Sequence, residues 1–444
     1  MPVTEKPLYF PSFHCYFYPV LINKSIVLTK TSIMFAPDKK ITLATILLCS
    51  IASFGQHDIA QWRGPERNGL YPGKNLLMPW PAEGPRQLWK YEVLGKGYSS
   101  AAVTTRNVYT AGSLDGSLFI FSFDLSGNLL WRSKLGPEWD KDFPGTRSTP
   151  MIYDELGYIV SGLGMLYCFD ASNGKIKWTK NLFKDLDGKN ITFGLSENLV
   201  IDGNKLFCTP GGNQFNVVAL DRFSGNLIWK CKGNGEPSAY CSPILIDRNG
   251  KKYFVTMTAN SLLSIDAETG VLAWKYPLVP ESHPNTPIYK DGYLCAYDCS
   301  SDGTGGIMLK VSEDGKSATK AWMNPHIISP QGDGVLIGNN LYRYCPSKKK
   351  LYCFDWNSGV EKFDYPLNSP LLTMISADGL LYCYSFTGEV YLFKPGKDSF
   401  ELAGKFILPG NKKEHCSHPV IRDGKLYIRI DNTLFVYSIE KSIS

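Results

Sequence analysis

Polar side chains close to short Ser/Thr-Pro phrases are the first candidates for chemistry in this 444-residue chain. Most of these phrases resemble Thr149-Pro150 or Ser242-Pro243, whereas one reads Ser196-Glu197-Asn198. A carboxylate and amides can coordinate Ca²⁺ through oxygen, and such a set can also hold a small polar ligand. The alternative is that these side chains only solvate their loops and satisfy one another. The candidate ligand-binding residues are Arg147, Glu197, Asn198, Tyr240, His283, Asn285, Gln331, Asp333 and His418.

Sequence motifs for covalent, phosphate or thiol chemistry are missing. The chain has no Gly-x-Ser-x-Gly nucleophile elbow and no Cys-x-x-Cys pair. The glycines at 303, 305 and 306 are not followed by the Lys-Ser/Thr of a phosphate loop. His415, Cys416 and His418 are metal-ligand types, but residues three apart on a strand point to opposite faces. We therefore predict no catalytic residue and no metal site.

One loop, residues 136–145, has an unusual composition for a connection between strands. It contains Trp139 together with several charged residues. An exposed indole there would offer a stacking face to a sugar or a quinone. The alternative is a surface loop in which Trp139 packs against its neighbours.

A repeated phrase positions all of these residues: an apolar residue, Asp, a short gap, Gly, and an aromatic residue. A clear copy runs from Ile265-Asp266 through Gly270 to Trp274. Successive aromatic markers are 41 to 51 residues apart, the length of a four-stranded propeller blade. Asp and Gly suit a tight turn, and Trp suits packing between blades. The markers are Trp89, Trp131, Trp178, Trp229, Trp274, Trp322, Phe363 and Phe406, of which the six Trp residues are predicted to dock the blades.

Eight markers predict an all-β fold, an eight-bladed β-propeller of four-stranded antiparallel blades over residues 87–444. The last period, from His418 to Ile439, contains only three strands. Residues 87–93 supply one spare strand at the start of the repeat. We predict that this N-terminal strand completes the last blade and closes the ring, which removes the exposed edges of an open array.

The N-terminal region has the pattern of a signal peptide. Lys39-Lys40 precedes the apolar run 41–54, and Ser53 and Gly55 stand at the small positions before Gln56. The predicted divisions are a possible start-site extension at 1–33, a signal peptide at 34–55 and an N-terminal extension at 56–86. We therefore predict a protein exported to the periplasm or secreted after cleavage near Gln56, with no transmembrane helix in the mature chain.

The net charge argues against nucleic-acid binding, and the positions of three cysteines are explained without disulfide bonds. The formal charge is +6, and the N-terminal 55 residues carry about half of it, so we predict no nucleic-acid partner. Cys168, Cys353 and Cys383 occupy equivalent positions after Leu-Tyr in three periods. A free Cys behaves as a small buried hydrophobe, so packing accounts for these three positions without disulfide bonds.

The Asp-Gly-Trp repeat resembles that of the pyrroloquinoline-quinone (PQQ) propellers, from residue 87 to about 439. The phrase Trp62-Arg63-Gly64-Pro65 resembles the opening of exported members without an assigned reaction. The resemblance implies one of two functions: a quinoprotein dehydrogenase with PQQ and calcium in the axial funnel, or a non-enzymatic protein such as the scaffold of outer-membrane assembly. The dehydrogenases resemble one another in a vicinal Cys-Cys disulfide, and no two cysteines are adjacent here.

The sequence therefore favours a non-catalytic exported propeller. It would bind a small polar ligand or a protein partner through the loops at the channel mouth. The alternative is a PQQ-dependent oxidoreductase that acts on an alcohol or a sugar, for which calcium would be a second cofactor. No residue constellation of that enzyme class can be matched in the chain.

Overall fold

The computed structural model describes residues 58–279, 283–297, 305–327, 334–410 and 416–441. These residues form β-strands, turns and loops, and none of them lies in a helix. A helix that could span a membrane is consequently not found among them. The alternation of apolar and polar residues with frequent turns is the physical reason for this all-β structure.

Three strands precede the repeat: β1 (Ile59–Ala60), β2 (Leu70–Tyr71) and β3 (Gln87–Tyr91). Blades 1 to 4 contain β4 (Ala102–Val103), β5 (Asn107–Leu114), β6 (Ser117–Asp124), β7 (Leu129–Pro137); β8 (Met151–Tyr153), β9 (Leu156–Val160), β10 (Met165–Asp170), β11 (Ile176–Asn181); β12 (Val200–Asp202), β13 (Lys205–Cys208), β14 (Val217–Asp221), β15 (Leu227–Cys231); and β16 (Ile244–Arg248), β17 (Lys251–Thr258), β18 (Ser261–Asp266), β19 (Leu272–Pro277).

Blades 5 to 8 contain β20 (Ile288–Lys290), β21 (Tyr293–Tyr297), β22 (Gly306–Val311), β23 (Ala318–Asn324); β24 (Val335–Ile337), β25 (Asn340–Cys345), β26 (Lys350–Asp355), β27 (Glu361–Pro366); β28 (Leu372–Ala377), β29 (Leu380–Ser385), β30 (Glu389–Pro395), β31 (Phe400–Ile407); and β32 (Val420–Arg422), β33 (Lys425–Ile430), β34 (Thr433–Ser438).

Eight antiparallel blades form an eight-bladed propeller, as the repeat predicts. The predicted ring closure is confirmed as well, because β3 pairs antiparallel with β34 and gives blade 8 the strand order β3-β34-β33-β32. Apolar residues of blade 1, blade 8 and blade 7, such as Phe123, Val436 and Tyr382, share one buried cluster across this closure. The ends of the chain therefore meet inside a continuous ring.

The Asp residues of the repeat organise the hairpins between the third and fourth strands. Asp266 Oδ1 accepts the N–H groups of Glu268 and Thr269 at 3.0 and 2.9 Å, and the Gly270 N–H donates to the Asp266 carbonyl. Gly270 has φ +75°, a conformation that glycine adopts without strain. The same carboxylate contacts recur at Asp170, Asp221 and Asp355. These carboxylates therefore stabilise turns.

The Trp side chains lie against the glycine turn of the following blade. A Cβ atom added at Gly270 would come within 2.7 Å of the Trp229 ring. The Trp229 indole N–H donates to the Ala267 carbonyl of the same hairpin at 3.1 Å. This contact links neighbouring blades through both packing and a hydrogen bond. Trp89, Trp131, Trp178 and Trp322 pack in the same way on Gly127, Gly174, Gly225 and Gly359.

Trp274 is the exception among these indoles. Its Nε1 is buried and has no hydrogen-bond partner among the described residues. The following hairpin, in blade 5, places Gly315 against Tyr253 instead. The junction between blades 4 and 5 therefore departs from the repeated geometry.

The predicted equivalence of the three cysteines is wrong for one of them. Cys168 and Cys353 lie in the third strands of their blades, β10 and β26, whereas Cys383 lies in β29, the second strand of blade 7. Cys168, Cys353 and Cys383 are fully buried and free. This confirms the packing interpretation of their repeat positions. Burial raises the pKa of the Cys353 thiol to about 11, because the thiolate would lose its hydration.

Candidate functional site

The mouth of the central channel is the end where the chain enters the first, innermost strand of each blade. Hydrogen bonds join these loops from blade to blade. The Ser100 N–H donates to Thr149 Oγ1, and the Thr149 N–H donates to Asn198 Oδ1 at 2.7 Å. Asn198 Nδ2 donates in turn to Ser242 Oγ at 2.9 Å, and the His418 N–H donates to Ser100 Oγ. This mouth belt connects blades 8, 1, 2, 3 and 4.

Asn198 thus occupies the position that Ser or Thr holds in the neighbouring blades. Asn198 is 5% exposed, and its side chain bridges two blades because its amide oxygen accepts from Thr149 while its NH₂ group donates to Ser242. This explains the departure of Ser196-Glu197-Asn198 from the Ser/Thr-Pro phrase in structural terms. The Asn198 side chain therefore has a structural role in the mouth belt.

The channel itself is occupied by residues 58–71, here called the N-terminal plug. Its strand β1 pairs antiparallel with β8, the innermost strand of blade 2. Its strand β2 pairs parallel with β28, the innermost strand of blade 7. Between the two strands the Trp62 ring contacts the His418 ring of blade 8 at 4.9 Å. The plug therefore crosses the axis of the propeller.

Two buried arginines fasten the plug to the channel wall. Arg67 donates to the carbonyls of Asn198, Leu199 and Pro243, in blades 3 and 4, at 2.6 to 2.9 Å. Arg63 donates to the carbonyls of Met374 and Gly334, at 3.2 and 2.7 Å, in blades 7 and 6. Guanidinium groups suit this role because each presents five N–H donors in a fixed plane.

Glu197 is the buried carboxylate that faces the plug. Its Oε2 and Oε1 accept the N–H and the hydroxyl of Thr209 at 2.9 and 2.8 Å. Burial raises its pKa to about 7, although Thr209 and the positive charge of Arg67 both act to lower it. Burial therefore favours the protonated form of Glu197 to a higher pH than that of an ordinary carboxyl group.

A small pocket with a volume of about 10 Å³ lies beside Glu197, between blades 3 and 4. Leu195, Met257, Ser238, Thr256 and Tyr240 are among its lining residues. Ser238 Oγ and Thr256 Oγ1 have no hydrogen-bond partner among the described residues. Sites for drug-sized ligands usually exceed about 300 Å³. This pocket is far smaller and has room for about one water-sized group, to which it offers two hydroxyl groups.

An aromatic cluster, here called the aromatic rim, lies next to this pocket at the mouth. The Phe143 and Phe193 ring centroids are 5.6 Å apart, and Phe193 and Tyr240 are 6.1 Å apart. Phe143 and Phe193 are 42% and 37% exposed. The Phe193 N–H also donates to the Tyr240 hydroxyl at 3.1 Å. The rim joins loops that precede blades 2, 3 and 4.

Two members of the rim have a strained backbone. Phe143 has φ 53° and Tyr240 has φ 68°. Bulky residues rarely adopt positive φ, because Cβ then approaches the carbonyl oxygen. Arg147 holds Phe143 in place by donating to its carbonyl at 2.7 Å and to the Asp142 carbonyl at 3.0 Å. Such strain is concentrated at functional sites of proteins.

Trp139 is packed rather than open. It is 5% exposed, and Gly162 and Gly194 lie so close that a Cβ on either would meet its side chain. The Arg147 guanidinium lies 5.5 Å from the centre of its ring. A sugar or quinone stacked on this face would have to displace the loop packing, so the packed-loop alternative agrees with the structure.

The remaining candidate residues are spread around the mouth. His283 is buried, its N–H donates to the Ala239 carbonyl, and its Nε2 lies 3.3 Å from the Ala259 carbonyl. Asn285 is also fully buried. The structure brings Glu197 and Tyr240 to one pocket and Arg147 to the adjoining rim. Gln331, Asp333 and His415 lie outside the described residues.

The channel residues do not fit a bound quinone with calcium. Both Glu197 oxygens already accept hydrogen bonds from Thr209, and the plug occupies the axis beside them. In the part of the chain that the structure describes, no three His, Cys, Asp or Glu side chains are grouped in a way that could hold a metal ion. Among the described residues, the Glu197 carboxylate is therefore engaged by Thr209 and the axis beside it is filled, which leaves no evident place for a quinone with calcium.

The sequence of this propeller matches a known protein family. The family described as "Outer membrane protein assembly factor BamB" matches residues 114–365, more than half of the chain. The chain belongs to this family. The PQQ-like resemblance predicted from the Asp-Gly-Trp repeat is thereby confirmed.

Two groups of relatives of this BamB-family chain are found among characterised proteins. Quinoprotein ethanol dehydrogenase of Pseudomonas aeruginosa is 27% identical over 168 residues, which are 34% of this chain and 26% of that protein. Outer membrane protein assembly factor BamB of Yersinia pestis is 24% identical over 266 residues, 56% of this chain and 63% of that protein. The chain thus spans about a quarter of the dehydrogenase and less than two thirds of the assembly factor.

Solved structures agree on the fold of this BamB-family chain. BamB from Moraxella catarrhalis superposes with a TM-score of 0.58 at 14% identity, covering 81% of this chain and 98% of that one. Quinohemoprotein alcohol dehydrogenase from Comamonas testosteroni gives 0.58 at 11% identity, covering 81% of this chain and 77% of that one. At these identities the likeness concerns the fold alone.

Sequence reasoning missed the plug and the aromatic rim. Trp62, Arg63 and Arg67 were recognisable only as a family-like phrase, although two arginines in a short Gly-Pro-rich segment are a signal for carbonyl-binding anchors. Phe143 and Phe193 carry no motif. Their exposure at the mouth follows from the folded loops and has no counterpart in the repeat pattern.

Proposed function

We propose that this protein is a non-catalytic binding propeller whose mouth face, on blades 1 to 4, docks an extended segment of a partner protein. The aromatic rim carries the proposal: two exposed Phe rings stand together beside a pocket, on loops held in strained conformations. Aromatic side chains contribute large contact areas at low conformational cost, so such clusters are typical anchors of protein interfaces.

The filled axis supports binding at the rim. Because the plug occupies the channel between β8 and β28, a partner would meet the mouth as a surface with a shallow recess. The small pocket beside Glu197 would receive only the polar tip of one partner side chain, which would bond Ser238 and Thr256. The docking segment would then be anchored mainly by contact with the Phe rings.

A peptide-selection experiment tests this proposal. A random peptide library is selected on residues 56–444, and each selected peptide is titrated against three proteins: wild type, the Phe143→Ala/Phe193→Ala double variant, and Phe223→Ala. Phe223 is the matched control, since it is 57% exposed in a hairpin of blade 3 away from the rim. Loss of a hot-spot aromatic costs about 2 kcal/mol or more, so the rim variant should bind about 30-fold more weakly.

The expected pattern is weakened binding in the rim variant and unchanged binding in Phe223→Ala. Peptides that bind all three proteins equally, or a selection that yields no specific peptide, would refute docking at the rim. Thermal unfolding of the three proteins distinguishes a lost contact from a lost fold.

The PQQ-dependent oxidoreductase stays the alternative, since its support is the similarity to quinoprotein dehydrogenases. Titration of residues 56–444 with PQQ and Ca²⁺, followed by thermal stability and quinone absorbance, separates the two functions. We expect no change, because Glu197 and the plug do not leave a fitting donor set. A saturable stabilisation with a shifted quinone spectrum would overturn the binding proposal in favour of the enzyme.

We also propose export from the cytoplasm with cleavage near Gln56. The support is the signal-peptide pattern of residues 34–55, together with a compact folded unit that begins at Gln56. Mass spectrometry of the N-terminus of the protein recovered from the periplasm or medium is the test. A chain that keeps residues 34–55 and stays with the cytoplasm would contradict export.

A further inference from the structure

Arg343 is a buried guanidinium for which the described residues supply no hydrogen-bond acceptor. It lies near the end of β25 in blade 6 and is 1% exposed. Its Nε, Nη1 and Nη2 all lack a hydrogen-bond partner in the described part of the chain. The guanidinium carbon stands 3.7 Å from the centre of the Tyr297 ring in blade 5. One face of the group is therefore covered by an aromatic ring, while none of its donors is used by a residue that the structure describes.

Other buried arginines of this protein show the opposite arrangement. Arg429, 2% exposed in blade 8, donates to the carbonyls of Ala111, Gly95 and Asp431. Arg67 likewise donates to three carbonyls, as described for the plug. The fold therefore satisfies buried guanidinium groups with main-chain oxygen where no ligand is needed. Arg343 departs from this rule within the same architecture.

The surroundings of Arg343 carry additional positive charge. A Cβ atom added at Gly334 would lie 3.6 Å from Arg343 Nη1, and the Gly334 carbonyl accepts a hydrogen bond from Arg63 Nη2 at 2.7 Å. Two guanidinium groups, one from the plug and one from blade 6, therefore approach the same glycine. A buried charge is costly unless it is paired and hydrogen-bonded, and a second positive charge nearby adds to that cost.

We propose that Arg343 binds a small oxyanion between blades 5 and 6. A phosphate or a carboxylate presents paired oxygens that match the planar fork of a guanidinium. Stacking on Tyr297 fixes the plane of that fork, so that the N–H edge is oriented before the anion arrives. This site lies in different blades from the pocket at Glu197 and the aromatic rim, so it is independent of the proposed partner docking.

Thermal unfolding of residues 56–444 with three different anions tests the site. The probes are inorganic phosphate and acetate, each compared with chloride at the same ionic strength and pH. The proteins are wild type, Arg343→Met and Arg429→Met. Methionine keeps the length and apolar volume of the stem while removing the charge. General salting effects of phosphate act on all three proteins alike, so the difference between wild type and Arg343→Met isolates the site.

In chloride, Arg343→Met should unfold at a higher temperature than wild type, because it removes an unpaired buried charge. Arg429→Met should unfold at a lower temperature, because it leaves buried carbonyls without donors. On changing from chloride to phosphate or acetate, the Tm of wild type should increase by about 2 °C or more beyond the increase seen for Arg343→Met. A response to only one of the two probes identifies which oxyanion the site takes.

Two results would overturn the proposal. The first is an Arg343→Met protein that fails to fold or is less stable than wild type in chloride, since the chain itself would then neutralise Arg343. The second is an equal response of wild type and Arg343→Met to both anions. Isothermal titration of wild-type protein with phosphate and acetate gives a measurement that needs no variant, and absence of saturable heat with both anions would refute the site as well.

Discussion

Replacement of Glu197 by Gln should stabilise the protein at pH 8 and leave its stability nearly unchanged at pH 4.5. Burial raises the pKa of Glu197 from an ordinary 4.5 to about 7 in the folded chain. A raised carboxyl pKa means that stability is fully present below pH 4.5 and is lost as the pH rises through 7. At about 1.4 kcal/mol for each pKa unit, the ionised carboxylate costs about 3 kcal/mol at pH 8. Gln carries no charge at any pH, and its amide can accept from and donate to Thr209.

Chemical unfolding followed by Trp fluorescence measures this effect. The free energy of unfolding of Glu197→Gln minus that of wild type should rise from near zero at pH 4.5 to as much as about 3 kcal/mol at pH 8. Glu236→Gln is the matched control. Burial raises the pKa of Glu236, but hydrogen bonds from Thr258, Asn234, Asn260 and Ser261 outweigh it and lower the pKa below its ordinary value.

Glu236→Gln should therefore be destabilising at pH 8, and the loss should shrink as the pH falls through the ordinary range of a carboxyl group. The two substitutions are predicted to have opposite signs in the same assay. If Glu197→Gln is destabilised at pH 8, then Thr209 and Arg67 favour the ionised carboxylate more than burial disfavours it, and the reasoning on Glu197 fails.

Three further predictions concern the blades. Gly270→Ala should lower the free energy of unfolding by about 2–4 kcal/mol, because it combines positive φ with a clash against Trp229. Gly250→Ala, at φ +79° with open space around it, should lower it by only about 1–2 kcal/mol. Urea unfolding compares the two variants, and equal losses of stability would refute the indole contact. Asn198→Ala should lower the free energy of unfolding by about 1–3 kcal/mol in the same assay, because it leaves the Thr149 N–H without its acceptor in the mouth belt. An unchanged free energy would show that the belt contributes no stability. Cys353 should resist iodoacetamide in the native protein at pH 8 and react after unfolding, because its thiol is buried and has a raised pKa. Peptide mass spectrometry detects the labelled residue. Rapid labelling of the native protein would contradict this prediction.

The hairpin turns of the repeat could be predicted from the sequence because their contacts join residues that are neighbours in the chain. The carboxylate of Asp266 bonds N–H groups two and three residues ahead, and Gly270 adopts positive φ four residues on. Such contacts recur with the period of the blade. Blade number and ring closure therefore follow from counting the markers and finding one spare strand.

The candidate site was only partly predictable, because its contacts join residues that the repeat does not relate. The Arg67 guanidinium reaches the Asn198 carbonyl, 131 positions away, and Arg63 reaches Met374, 311 positions away. A funnel of polar residues was a sound hypothesis for the mouth. Asn198, however, uses its polar groups to bond neighbouring blades, and Glu197 bonds Thr209. Among the candidate residues that the structure describes, Tyr240 belongs to the aromatic rim and Arg147 adjoins it.

The sequence by itself determined the architecture of this protein. Periodic Asp, Gly and Trp residues specify turns and blade contacts locally, and repetition of a local rule eight times yields one closed ring. Only the tertiary structure decided that the plug fills the axis, that Phe143 and Phe193 meet at the mouth, and that no described residue accepts a hydrogen bond from the buried Arg343. The physical reason is that each of these features depends on main-chain oxygens, ring faces and charges brought together from different blades, which no pattern along the chain encodes.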